Sequence, residues 1–279
     1  MIDESEVARH YAPSNLVDAI RDGLERLGKP EGAITPADLA PVDEFHIGGR
    51  EASIHFHGLL GWHAGQRLLD IGCGIGGAAR FVAADTGAHV TGVDLTPAYV
   101  EAGNRLSATV GLADRVTLVN ASALHLPADD AAFDGAYMMH VGMNIADKPA
   151  LFTEVRRVLR PGARFGIYDA MRNSDGEIPY PMPWASSAAT CALSRVSVYR
   201  EALERAGFTI EAQNDRTEYA LAFFERLRAM MAGRSGPPPL GLHLLMGPSA
   251  PTKVANMIAA IGTGTLAPVE IVARAPGAT

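Results

Sequence analysis

The 279 residues carry 24 Lys/Arg against 31 Asp/Glu, a net charge of −7, with 48% hydrophobic and 20% charged residues. That composition excludes a disordered or fibrous chain and supplies the apolar mass for one large α/β domain with appended segments. Eleven of the acids but only five of the bases fall in residues 1–60, and no basic stripe follows, which argues against a nucleic-acid partner.

Cys73 and Cys191 are too few for a disulfide framework or a CxxC metal site. The opening MIDESEV lacks the apolar core of a secretory leader, and no apolar run is long enough to cross a bilayer. A cytoplasmic setting is expected.

In chain order, residues 1–63 read as a helical N-terminal cover. Asn15–Leu27 is amphipathic, and Thr35-Pro36-Ala37-Asp38 is an N-cap signal. His55 and His57 stand two apart on a predicted helix, so they face different ways and make no metal pair. From residue 64 apolar runs alternate with helical patterns. Strands are expected at Arg67–Ile71, His89–Leu95, Arg115–Asn120, Asp134–His140, Arg164–Asp169 and Thr209–Asn214. Helices fall near 76–85, 97–110, 148–159 and 196–206. A last strand, Val269–Ala273, follows helices near 217–232 and 251–261. The pattern predicts a seven-stranded, mostly parallel, doubly wound sheet with an antiparallel edge strand, as one domain over 64–279. Insertions near 171–195 (with PYPMPW) and 217–262 are candidate lids.

The run Leu68-Leu69-Asp70-Ile71-Gly72-Cys73-Gly74-Ile75-Gly76-Gly77 ends the first strand in a glycine turn. Gly72, Gly74 and Gly77 also satisfy the GxGxxG dinucleotide pattern, which makes an NAD-dependent oxidoreductase the rival reading. Asp70 separates the two. A carboxylate there would repel a pyrophosphate, yet it suits the ammonium of a methionine moiety. S-adenosylmethionine has that ammonium and no phosphate. Asp94 lies 20 residues past Gly74 at the end of the second strand, where an acid accepts hydrogen bonds from ribose hydroxyls. Thr96 is expected to cap the following helix, leaving Asp94 free for the ligand. Cys73 reads as a small residue packed behind the turn.

These residues closely resemble the class I, Rossmann-like, S-adenosylmethionine-dependent methyltransferases. The likeness runs from Asp70 to about Asp169 through LDIGCGIGG, GVDLT, ALHLP before FDGAYMMH, and EVRRVLRPGARF. It implies a donor site of Asp70, Gly72, Gly74, Gly76, Asp94, Leu95, Ser122, Ala123, Leu124 and His140. The family's acid after the third strand is replaced here by Ser122. Within the family, DEFHIGG (43–49), HVGMNIADK (140–148) and YPMPWA (180–185) resemble the ubiquinone/menaquinone, tocopherol and sarcosine/dimethylglycine type, which act on small molecules.

On the acceptor side, His140 is a candidate general base or donor contact, and Asn144 a positioning residue. Tyr11 and His46 would reach in from the N-terminal cover. Tyr180 and Trp184 are a candidate aromatic wall for a cationic amine, with Asp169 as its counter-charge. The resemblance to the sarcosine/dimethylglycine type, together with the acidic N-terminal cover, makes N-methylation of a small amine the first expectation. Transfer to oxygen, carbon or sulfur of a quinone-like or natural-product acceptor is the second. A non-catalytic donor-binding module and a macromolecular methyltransferase are more distant readings. No metal is expected.

Overall fold

A computed structural model describes Glu4 and residues 15–30, 32–233 and 236–277. Among them, seven strands form one sheet in the order β3-β2-β1-β4-β5-β7-β6. Their ranges are β1 Arg67–Ile71, β2 His89–Asp94, β3 Val116–Asn120, β4 Phe133–Met139, β5 Leu159–Arg172, β6 Thr209–Asp215 and β7 Leu266–Arg274. Strands β1 to β5 pair in parallel, and β7 runs antiparallel to both β5 and β6. β7 is thus not itself the edge: it lies between β5 and β6, which explains why eight of its nine residues are buried. The edge is β6, whose residues alternate between exposed and half-buried.

Helices cover both faces. On one, α3 (Gly49–Leu60) and α4 (Gly77–Thr86) lay Phe56, Leu60, Phe81 and Val82 against Leu68, Tyr137 and Tyr168. On the other, α6 (Lys148–Val158) and α7 (Val196–Arg205) pack Phe152, Val155 and Tyr199 on Phe165 and Ile271. α1 (Leu16–Arg26) buries Leu16, Ile20 and Leu24 beside Tyr99 and Leu106 of α5 (Pro97–Thr109). α2 (Pro36–Asp43) starts as its sequence predicts, with Thr35 N donating to Asp38 Oδ2 at 2.9 Å. The segment between β6 and β7 contributes α8 (Thr217–Met231), α9 (His243–Met246) and α10 (Ala250–Gly262). No helix among the described residues is long and apolar enough to cross a membrane.

Strand order reverses at β1, with β2 and β3 on one side and β4 and β5 on the other. Ligands bind at such a switch point, beyond the carboxyl ends of the strands.

Candidate active site

A cavity of about 1180 Å³ opens there. This exceeds the usual range for a single small ligand, so it has room for two. Glycine shapes its floor. Gly72 has φ +68°, and a Cβ on it would come within 2.3 Å of Val141, so the turns after β1 and β4 touch. Around Gly74 (φ +54°) there is open space. Gly76 differs: its Cβ would meet Leu118 at 2.8 Å and it does not line the cavity, so it serves helix–sheet packing rather than the ligand.

Asp70 is 2% exposed, and its Oδ2 has no hydrogen-bond partner. Burial pushes its carboxyl up to about 8, helped by nearby Asp94 and opposed by Tyr137. An unmet acid in that position awaits a cation. Asp94 accepts from Gly74 N at 2.9 Å and from Thr96 N at 2.8 Å. Thr96 makes no side-chain cap bond; its own amide is held by Asp94, which still faces the cavity. Burial raises its pKa, and these two amides oppose the rise. Leu95, Ala123 and Leu124 line the cavity; Ser122 does not. Ser122 Oγ instead donates to Glu4 at 2.6 Å and accepts from Leu124 N at 3.1 Å. An adenine ring would therefore meet a backbone and Leu124 there, not a hydroxyl.

His140 has φ +56°, rare for a residue with a Cβ. The turn aims its ring at the cavity, edge-on to Tyr168 with 4.8 Å between ring centres. Its Nε2 accepts from Ile47 N at 3.4 Å, which puts the proton on Nδ1, buried without a partner. Burial, then the neighbouring His46, lowers its pKa to about 3. Neutral His140 thus has Nδ1–H as its hydrogen-bond donor in the resting site. Asn144 lines the cavity, as does Trp184, which is 3% exposed and donates from Nε1 to Cys191 Sγ at 3.4 Å.

Two expected acceptor contacts are not brought in. Asp169 is fully buried behind the cavity, accepting from Tyr199 Oη at 2.6 Å. Tyr180 packs in the cluster below Trp184 without lining the cavity. Tyr11 lies outside the described residues.

His46 does line the cavity, with partners that were not anticipated. Its Nε2 is 2.8 Å from Glu44 Oε2, which also accepts from Ser53 Oγ at 2.6 Å, and Arg50 Nε lies 2.5 Å from Glu44 Oε1. The acid two residues before His46 in EFHIGG was the available signal. The far wall comes from the second candidate lid, whose individual residues carried no signal of their own. Phe223, Phe224, Leu245, Met246 and Met257 come from α8, α9 and α10 and line the cavity with Trp184 and Met143. Among the described residues no group of three His, Cys, Asp or Glu is placed to hold a metal.

Asp70's unmet oxygen, the open space at Gly74, Asp94 and the Leu95–Leu124 slot fit the ammonium, chain, ribose and adenine of S-adenosylmethionine. Fold and donor slot resemble those of the class I, S-adenosylmethionine-dependent methyltransferases. Residues 69–167 match the methyltransferase-domain family. The chain is 37% identical over 118 residues to methyltransferase phqN of Penicillium fellutanum, covering 42% of this chain and 36% of that one. It is 31% identical over 164 residues to the sterol 24-C-methyltransferase of Yarrowia lipolytica, covering 56% and 42%. The chain thus spans well under half the length of these two curated relatives. Geranyl diphosphate C-methyltransferase from Streptomyces coelicolor, solved with S-adenosyl-L-homocysteine, superposes with a TM-score of 0.70 at 22% identity, covering 98% of this chain and 97% of that one.

Proposed function

We propose that this chain methylates a large, predominantly apolar small molecule at oxygen or carbon. The observation that carries this is the far wall of the cavity, where Trp184, Phe223, Phe224, Met246 and Met257 converge. Soft, flexible methionines beside rigid rings favour apolar surface of varied shape.

The amine expectation loses its counter-charge. Asp169 and Tyr180 stand outside the cavity. The carboxylates that line it are otherwise engaged: Asp43 by Arg80, Glu44 by Arg50 and His46, Asp147 by the amide of Ala150, and Glu4 by the hydroxyl of Ser122. Asp94 holds two amides, and Asp70 is matched to the donor's own ammonium. A cationic acceptor would be desolvated without a partner. Two of the similar proteins bear names that point the same way, to a sterol and to geranyl diphosphate.

When bound, the donor supplies a methyl carbon activated by its positive sulfur. The chain's own part is to hold that donor on Asp70 and Asp94, exclude water with the apolar wall, and orient the acceptor with the Nδ1–H of His140. The two free thiols, Cys73 and Cys191, suit a reducing compartment such as the cytoplasm.

The test is release of S-adenosylhomocysteine from labelled donor, with sterols, prenyl alcohols and diphosphates, phenols, quinols, thiols and amines as acceptors. Turnover concentrated among the apolar oxygen and carbon acceptors is expected. Turnover confined to amines would overturn the reading.

A further inference from the structure

We propose that Glu44 and His46 form the proton-accepting pair of this cavity, with Ser53 and Arg50 holding the carboxylate in place. The proposal rests on the methyl-transfer reading and adds to it the destination of the acceptor's proton.

Glu44 is 4% exposed and Ser53 fully buried, yet the carboxylate has a hydrogen-bond donor on Oε2 from each of two side chains and a guanidinium on Oε1. Burial alone would drive the acid neutral, but His46, Arg50 and Ser53 together hold it down at about 2. A permanently ionised Glu44 keeps a proton on His46 Nε2. That leaves Nδ1 as the basic nitrogen, the arrangement in which a carboxylate orients an imidazole for proton abstraction. Near Nδ1 lies Ile47 O, at 3.4 Å, which already accepts from Tyr168 Oη at 3.0 Å. A proton arriving on Nδ1 thus finds an acceptor in place, and the imidazolium finds a counter-ion.

The ring centres of His46 and His140 are 6.1 Å apart, and both rings line one cavity. Their surroundings give them opposite duties: His140 donates from Nδ1, and His46 accepts at Nδ1. Pairs of titratable groups separated by environment in this way mark acid and base roles. In the step, the proton of the acceptor's hydroxyl or acidic C–H passes to His46 Nδ1. The electron pair it leaves behind forms the new bond to the methyl carbon, and the pair of the broken carbon–sulfur bond stays on sulfur. The proton later leaves His46 to water.

The charged and titratable groups that face His46 are Glu44, Arg50, His57, His140 and Tyr168. Burial keeps His57 and His140 neutral and Tyr168 protonated.

The experiment is nitrogen-15 NMR of the histidine side chains across pH in the full chain, with His46→Gln to assign the signal. A ring with Nε2 protonated and Nδ1 bare at high pH is expected, with a midpoint that Glu44→Gln lowers by about one to two pH units. Ser53→Ala should lower it in the same direction by less, which covers the case in which Glu44→Gln folds poorly. Donor affinity by calorimetry should stay within about twofold in both variants. A ring that stays doubly protonated above pH 9, a proton on Nδ1 alone, or a midpoint that neither substitution moves would overturn the pair. This readout needs no acceptor, so it stands apart from the panel that tests methyl transfer. Once an acceptor turns over, Glu44→Gln should lower kcat at least about tenfold with little change in KM. Equal turnover would overturn the proton role even if the titration holds.

Discussion

Arg80 and Asp43 form an ion pair from which water is wholly excluded, with Arg80 Nη2 2.5 Å from Asp43 Oδ1 and Nε donating to Oδ2 at 3.1 Å. It ties the helix after the glycine turn to the last residue of α2. At the same junction a Cβ on Gly77 would fall 2.2 Å from the Asp43 carbonyl oxygen. The N-terminal helices are thus clamped to the donor-binding turn by charge and by close contact at once.

Removing one partner of such a pair strands the other. Arg80→Met is expected to destabilise the fold by about 3–5 kcal/mol, measured by urea denaturation. Burial already raises the pKa of Asp43 and Arg80 holds it back. The double variant Arg80→Met/Asp43→Leu should therefore recover part of the loss. A double variant no better than the single would show that packing, not the orphaned charge, sets the loss.

Asp94 holds the glycine turn and faces the cavity. Asp94→Ala should weaken donor binding by about 2–3 kcal/mol, roughly 30- to 150-fold, because a charge-assisted pair of ribose contacts is lost. Calorimetric titration with S-adenosylhomocysteine reads it directly. An unchanged Kd would remove Asp94 from the site.

Asp70 makes donor binding pH-dependent, with a sign that follows from its raised pKa of about 8. Below that value the empty site binds a proton that an ammonium must displace, so affinity should fall roughly tenfold per unit from pH 8 to pH 6. The free protein behaves in the opposite sense. Between the ordinary carboxyl range and about pH 8 the folded state holds a proton that the unfolded chain has lost, so this group's contribution to stability falls as pH rises. The gain in Tm on adding donor should therefore be larger at pH 8.5 than at pH 6.5. Asp70→Asn should flatten both profiles; profiles unchanged in that variant would assign the dependence to another group.

Lys148 is fully buried and donates to the carbonyls of Gly142, at 2.8 Å, and Ile145, with Ala192 O at 3.4 Å. It joins the loop after β4, which presents Met143 and Asn144 to the cavity, to the insertion after β5. Burial lowers its pKa to about 8, against the pull of Asp169 and Cys191. Lys148→Met should cost about 2–3 kcal/mol by leaving carbonyls unmet. Faster proteolysis within 142–147 and 187–195 should accompany it, with donor affinity within about twofold. Loss of donor binding at full stability would contradict a role confined to these two segments.

Much of the scaffold could be read from local pattern because its signals are local. Glycine punctuation and alternating apolar runs place β1 within its observed limits and most other strands to within one or two residues. β5 and β7 are the exceptions: β5, expected over 164–169, extends from 159 to 172, and β7, expected over 269–273, begins at 266, because the two pair as far as Arg172 with Leu266. The interior place of β7 is likewise a matter of pairing. The donor residues Asp70 and Asp94 follow from their positions at strand ends. Ser122 and Asp169 were misplaced because a side chain's direction depends on neighbours such as Glu4 and Tyr199, distant along the chain. The proton on His140 depends on one amide of a loop 93 residues away.

The cavity's two halves are separable along the chain. Residues 69–167, where the family match falls, carry Asp70, Gly74, Asp94, Ala123 and His140, whereas Phe223, Phe224, Met246 and Met257 lie in a segment spliced between two adjacent strands. That segment leaves the sheet at Arg216, whose N–H donates to Pro268 O, and returns at β7. Exchanging 217–264 between two such proteins should transplant the choice of acceptor while leaving the donor half intact. The chain thus has the layout of a fixed handle with an interchangeable head.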